Sequence, residues 1–227
     1  NLYIVDMRKL KVSIIVSLVS FFSVVSSCSH ITHRARVNEG FNMSGAVIQD
    51  YETTDPPEGS WEAQENGGAS TEYLRTDFLV NIGYASKLKD ERKFMIYLNM
   101  ATADRDPFRF MPSAGFYYQV TPDSLPYASG IGAVVMGDPL IYYIWGRDIG
   151  RTKKGGSIAS IDLAGGFSLI PSLFAHVKIL KSVGPLELGI VGEYRRFWGT
   201  LNFCLDTGCT YIKSESYFGI ILIPEFH

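Results

Sequence analysis

The feature that most constrains this chain is alternation with a period of two, sustained over segments too long and too numerous to be incidental. From Tyr73 to Ala85, the side chains of Leu74, Thr76, Phe78, Val80, Ile82 and Tyr84 share one face, and Arg75, Asp77, Asn81 and Gly83 share the other. Phe94, Ile96, Leu98 and Met100 alternate with Tyr97 and Asn99. Further on, Ile161, Leu163, Phe167 and Leu169 oppose Ser160, Asp162, Ala164, Gly166 and Ser168. Leu186, Leu188, Ile190 and Tyr194 oppose Glu187, Gly189, Glu193 and Arg195, and the segments 173–181 and 211–226 repeat the pattern. A helix returns to the same face every third or fourth residue; only a strand sends successive side chains to opposite faces. The pattern predicts strands near 40–50, 73–86, 92–102, 114–121, 129–137, 140–147, 157–169, 173–181, 186–198 and 211–226. The apolar run 129–147 is divided at Gly137-Asp138-Pro139, because proline lacks the donor that a central strand needs. Without that division the count drops and an eight-stranded barrel becomes possible.

Two architectures satisfy the alternation. A soluble sandwich or lipocalin-like barrel places the apolar side chains inside. A membrane barrel inverts the arrangement, with apolar side chains in lipid and polar ones in the lumen. The minority faces carry Gly, Ser, Ala and Asn beside charges, as a narrow lumen requires, and only 19% of the chain is charged. Aromatic residues near strand ends (Tyr84, Tyr117, Tyr118, Tyr142, Tyr143, Trp145, Tyr194, Trp198) are placed as interfacial girdles would be. These points favour the membrane barrel. Its short turns would fall at 87–91, 122–128 and 182–185, on the side of the C-terminus, with 147–156 an unusually long turn on the same side.

The N-terminal region has a different character. Arg8, Lys9 and Lys11 precede a 14-residue apolar core, Val12–Val25, followed by Ser26, Ser27 and Cys28. A core of this length is short of the ~20 residues that a spanning helix needs, and suits insertion followed by cleavage. Val25-Ser26-Ser27-Cys28 resembles the lipobox of bacterial lipoproteins, with Val in place of the more usual Leu and Ser directly before the cysteine. The resemblance implies cleavage before Cys28, acylation of Cys28 and anchoring to membrane lipid. Residues 1–27 are then a signal peptide, with 1–6 upstream of the initiator Met7. Residues 28–39 are a polar, lipidated tether, and 40–227 the barrel domain. The segment Tyr217–Phe226 resembles the final-strand signal of small outer-membrane β-barrel proteins, although Pro224 interrupts it and His227 follows it.

After removal of residues 1–27, 18 basic residues stand against 22 acidic ones, which argues against a nucleic-acid partner. With Cys28 acylated, Cys204 and Cys209 remain, flanking the turn-like Leu205-Asp-Thr-Gly208. Cysteines facing each other across a hairpin are close enough to bridge, and an exported chain meets oxidising conditions. A disulfide is expected. The segment 51–72 contains six acidic residues, no basic one, Pro-Pro and Gly-Gly. It reads as a solvated loop, and as a candidate surface for a partner or cation with Trp61 as anchor.

Little in the chain points to catalysis. Arg75, Asp77, Asp162, His176, Lys178, Glu187, Glu193, Arg195, Lys213 and Glu215 fall on the polar faces, and would fill the lumen as a mixed-sign network. Buried ions must be paired, since an isolated one costs several kcal/mol. A plugging salt-bridge network, a hydrophilic path for small solutes, and an acid/base pair all remain open. A Ser/His/Asp system would have to use His176, with Ser168 or Ser172 nearby in sequence. Gly130-Ile-Gly132 is no dinucleotide fingerprint, since no helix follows, and no ligand cluster points to a metal or other cofactor. The reading is therefore an all-β protein: one antiparallel up-and-down barrel of about ten strands behind a cleaved signal helix. Its expected role is envelope-structural, surface interaction or small-solute passage at the bacterial outer membrane. A periplasmic, lipid-tethered lipocalin-like binder is the alternative, and a barrel enzyme acting on lipid or peptide a third.

Overall fold

The computed structural model describes residues 30–55, 71–103, 109–136, 139–151, 157–168, 172–197, 203–205 and 208–224. The signal region and Cys28, the body of the acidic segment 51–72, Trp198 and His227 lie outside the described residues. Eleven strands follow one another: β1 (Gly40–Asp55), β2 (Thr71–Lys87), β3 (Lys93–Ala103), β4 (Arg109–Gln119), β5 (Tyr127–Met136), β6 (Leu140–Arg151), β7 (Ser157–Ser168), β8 (Ser172–Val183), β9 (Leu186–Phe197), β10 (Phe203–Leu205) and β11 (Gly208–Pro224). Each pairs antiparallel with its neighbour, and β11 bypasses the short β10 to pair with β9 on one side and β1 on the other. Ten strands thus close an up-and-down barrel with no free edge. The eight-stranded count fails because β5 and β6 are separate strands, joined at Val134↔Leu140.

The faces are sorted opposite to those of a soluble protein. On β9, Leu188 and Ile190 are 46% and 43% exposed while Glu187 and Glu193 are 1% and 7% exposed. The same holds on β2, where Leu74, Phe78 and Tyr84 point out and Asp77 and Asn81 are buried. On β8, Leu173, Val177 and Ile179 point out, and His176 and Lys178 in. The lipocalin-like alternative required the reverse, and is excluded by this sorting.

One end of the barrel carries short turns. The β2–β3 turn uses Asp90 and Glu91 at φ 60. The β8–β9 turn is the two-residue Gly184-Pro185, with Gly184 at φ 65, the first-position glycine that a tight hairpin favours. The turn expected at 147–156 is shorter than its sequence suggested, because β6 continues to Arg151 and β7 begins at Ser157. At the opposite, loop end, β1, β2 and β11 outrun their neighbours. β2 loses β3 beyond Asp77↔Ala103, and β11 loses β9 beyond Ser214↔Arg196, while β1 stays paired with both as far as Thr54↔Thr71 and Asp55↔Tyr211. A tongue of these strands, extended by the β10–β11 hairpin, rises from that rim. Within the hairpin Cys204 stands directly opposite Cys209 in register.

Parity corrects the aromatic girdle in two places. Tyr84, Tyr143 and Tyr194 are at least half exposed on the outer face, but Tyr117 and Tyr142 are inside. In Tyr117-Tyr118 and Tyr142-Tyr143, adjacent residues must face opposite ways, so each pair sends one ring inward. The inward rings lie against glycine. A Cβ on Gly132 would run into the Tyr142 ring, and one on Gly115 would meet Tyr97 at 2.6 Å from its ring carbon Cζ. Gly130 and Gly132, the spacing that failed as a nucleotide motif, are there to seat Tyr117 and Tyr142.

Candidate functional site

The lumen is the site, and its principal occupant is the chain's own N-terminal segment. Residues 30–37, expected to belong to a polar tether outside the barrel, run down its interior: His30, Ile31, Thr32, His33, Ala35 and Val37 are each at most 4% exposed. The physical reason lies in the barrel's size. Ten strands about 4.8 Å apart and tilted by ~40° enclose a cylinder roughly 20 Å across at the backbone. Inward side chains leave a central gap of roughly the width of one extended chain, and an eight-stranded wall would fill it unaided.

The wall grips this segment largely by its main chain. Carbonyl oxygens of residues 30, 33, 35 and 37 accept from Asn99 Nδ2 (3.2 Å), Lys178 Nζ, Tyr117 OH (2.6 Å) and Lys93 Nζ (2.6 Å). The amides of Ala35 and Val37 donate to Asp162 Oδ2 (3.1 Å) and Gln119 Oε1 (3.2 Å). An extended chain whose neighbours are too distant to add it as a strand must satisfy its backbone through side chains, and these residues do so.

The segment's side chains add charge and shape. Arg34 bridges two strands, donating from Nη1 to Glu187 Oε1 at 2.7 Å and from Nη2 to Asp148 Oδ1 at 2.9 Å. Arg36 reaches Asp148 Oδ2 at 3.0 Å and the carbonyls of Asp123 (2.9 Å) and Leu125 (2.6 Å). At the turn end Asp123 also receives Lys93 Nζ at 2.6 Å and Gln119 Nε2 at 3.0 Å. Burial by itself pushes the Asp123 carboxyl up. The bonds from Lys93 and Gln119 and the charges of Lys93 and Arg36 outweigh burial, holding it below the ordinary carboxylate value. The His33 ring sits among Tyr97, Tyr117 and Tyr142, with centroids 5.2, 4.7 and 5.8 Å away, and its Nε2 is 2.7 Å from the Tyr142 hydroxyl.

Deeper toward the loop end a second cluster forms. Glu193 Oε2 lies 3.1 Å from both His176 Nδ1 and the Tyr217 hydroxyl, and Arg195 Nη2 lies 3.1 Å from Glu193 Oε1. The His30 ring meets Tyr217 edge-on at 4.6 Å. Lys178 and Asp162 are 3.7 Å apart between this cluster and the arginine layer.

Of the residues expected in the lumen, Asp77, Asp162, His176, Lys178, Glu187, Glu193 and Arg195 are all buried on the inner face. Asp162 with Lys178, and His176 with Glu193 and Arg195, are brought together; Glu187 finds its partner on the N-terminal segment. The side chains of Arg75, Lys213 and Glu215 lie outside the described part. Three further charges join that set: Lys93 at the start of β3, Asp123 in the turn between β4 and β5, and Asp148, which lies beyond the expected strand 140–147 because β6 continues to Arg151. The serine-based triad is not assembled: the Ser168 hydroxyl donates to the Pro139 carbonyl at 2.8 Å, and His176 binds Glu193 and Tyr217 instead. Among the described residues no group of three or more ligands is placed to hold a metal.

No family model matches the chain, and no curated protein matches it. Among solved structures it is similar to Neisserial surface protein A (NspA), at 12% identity over 83% of this chain and 98% of the other, with a TM-score of 0.33. It is also similar to the translocator domain of the autotransporter NalP from Neisseria meningitidis, at 10% identity over 98% of each chain and a TM-score of 0.33. Likenesses this distant carry no argument; the fold rests on the strand pairing itself.

Proposed function

We propose that this protein is a β-barrel lipoprotein of the bacterial outer membrane, closed in its resting state by its own N-terminal segment, with an envelope-structural or surface-interaction role. The observation that carries this reading is the sorting of the faces. Phe78, Ile96, Leu98, Ile131, Leu163, Val177, Ile179, Ile190 and Phe218 are exposed on the outside, while ion pairs occupy the inside. In water that exterior would be an apolar patch far larger than a soluble monomer displays; in a bilayer it is the required surface. Among the described residues no helix is long and apolar enough to cross a membrane, so the strands would do so. Short turns then face the periplasm and the β1–β2–β11 tongue the exterior.

Acylation of Cys28 is supported by the Val25–Cys28 motif and its basic, apolar lead-in. A Cys204–Cys209 bridge is supported by their opposed register. Constant solute passage is disfavoured by the filled lumen. A recess lined by Arg34, Arg36, Asn42, Ser44, Asn81 and Glu187 has a volume of about 20 Å³, space for a water or two. The test is fractionation with heat-modifiability. The reading expects an outer-membrane band that migrates faster unboiled than boiled, and labelling by palmitate that Cys28→Ser abolishes. A band in the soluble fraction that never shifts would overturn the membrane reading; a labelled Cys28→Ser variant would overturn the lipid one.

A further inference from the structure

We propose that residues 30–37 are a dissociable plug: the lumen is a binding site for an extended basic peptide segment, and release of that segment opens a conduit that prefers small hydrophilic cations. The inference rests on the membrane-barrel reading and extends it from a closed barrel to a gated one.

Three observations carry it. The first is the kind of contact made. The plug is held by hydrogen bonds to its backbone and by the ion pairs of Arg34 and Arg36, with only Ile31, Ala35 and Val37 as buried apolar side chains. When the lumen floods, water takes over these polar partners and no buried charge is left bare, whereas an apolar core has no such substitute. The second is what remains when the plug leaves. The wall keeps Asp50, Asp77, Asp123, Asp148, Asp162, Glu187 and Glu193 against Lys93, Lys178 and Arg195, a polar surface that wets rather than collapses and whose formal net charge is negative. Arg34 and Arg36 offset part of that charge. The third is a hinge. Only exposed Asn38 and Glu39 join the plug to β1, where Gly40 adopts φ +90 with nothing within 4 Å of a would-be Cβ. Asn42 clasps this corner by accepting from the Asn38 amide at 3.0 Å and donating to its carbonyl at 2.8 Å. The corner can straighten without disturbing the wall.

The experiment is single-channel recording of the full chain and its variants in planar lipid bilayers, with heat-modifiability confirming that each is folded. The full chain should be mostly closed. Deleting residues 30–37 should give a steady, cation-preferring conductance, and a synthetic peptide of residues 29–39 added to the bath should close it. The same peptide with Arg34→Ala and Arg36→Ala should close it at least about tenfold less well. If the deletion fails to fold, the full-length R34A/R36A double variant should raise the open fraction by at least about tenfold. A folded deletion variant that conducts no more than the full chain, or one that the peptide does not block, overturns the proposal. A chain with no heat-modifiable band overturns the membrane-barrel reading instead, so the two failures are distinguishable.

Discussion

The Nη1 of Arg34 lies 2.7 Å from the Oε1 of Glu187, and the Glu187 side chain is only 1% exposed. A carboxylate so enclosed depends on its partner, since removing one member of a buried pair strands the other. Arg34→Ala should therefore lower stability by about 3 kcal/mol, read as a drop in the urea midpoint of the heat-modifiable form. Replacing both residues with Met should cost less than the sum of the single changes, because no unpaired charge remains.

Gly132 holds the Tyr142 ring against the wall, and that ring is pinned by His33 at 2.7 Å and Tyr97 at 3.1 Å. Gly132→Ala should force the ring off its seat and cost about 1–3 kcal/mol as an overpacked core does. Tyr142→Ala in the same background should recover part of that loss. Thermal unfolding of the parent and the two variants checks it.

Ile190 sits near the middle of β9 on the outer face, 43% exposed. Ile190→Arg should cost about 2–4 kcal/mol in folding into vesicles, as a cation near the bilayer midplane does. A change within experimental error would mean that this face meets water.

Asp123 at the turn end titrates below the ordinary carboxylate range, through Lys93, Gln119 and Arg36. A folded value below the unfolded one adds stability above the unfolded carboxylate value of about 4, and that stability is lost as pH falls through the folded value. The difference in melting temperature between the parent and Asp123→Asn should be constant from about pH 5 to 8 and shrink below about pH 4.

Cys204 and Cys209 stand opposite each other in the β10–β11 hairpin. Protein isolated without reductant should resist alkylation at both until it is reduced. Because the hairpin lies beyond the barrel rim, Cys204→Ser/Cys209→Ser should leave heat-modifiability of the barrel unchanged.

The ten barrel strands were legible because alternation is a local property, written into residues such as Leu186–Arg195 without reference to any partner. The direction of the faces was legible too, since Gly, Ser and Asn beside charges on the minority face suit a lumen better than open solvent. The plug was not. His30, Thr32, His33, Arg34 and Arg36 have the composition of a solvated linker, and their burial depends on partners from β3 to β9 that sequence distance conceals. A signal was present in Ile31, Ala35 and Val37, apolar residues at odd positions between the polar ones. Asp148 was hidden for a plainer reason: strand ends are set by pairing and not by hydrophobicity, and β6 runs past residue 147 to Arg151.

The plug also bears on the order in which the molecule is made. Residues 30–37 are synthesised before any strand, yet the polar partners described for them stand 56 to 153 residues further along the chain, the last being Glu187 on β9. Contacts of such range are slow to form, because the loops they close must be ordered first. The earliest part of the domain to be synthesised therefore waits for nearly the last before its charges are satisfied. Until then it is a short basic strand at large beside an acidic, half-built wall, and whatever escorts the nascent barrel has that strand to shield.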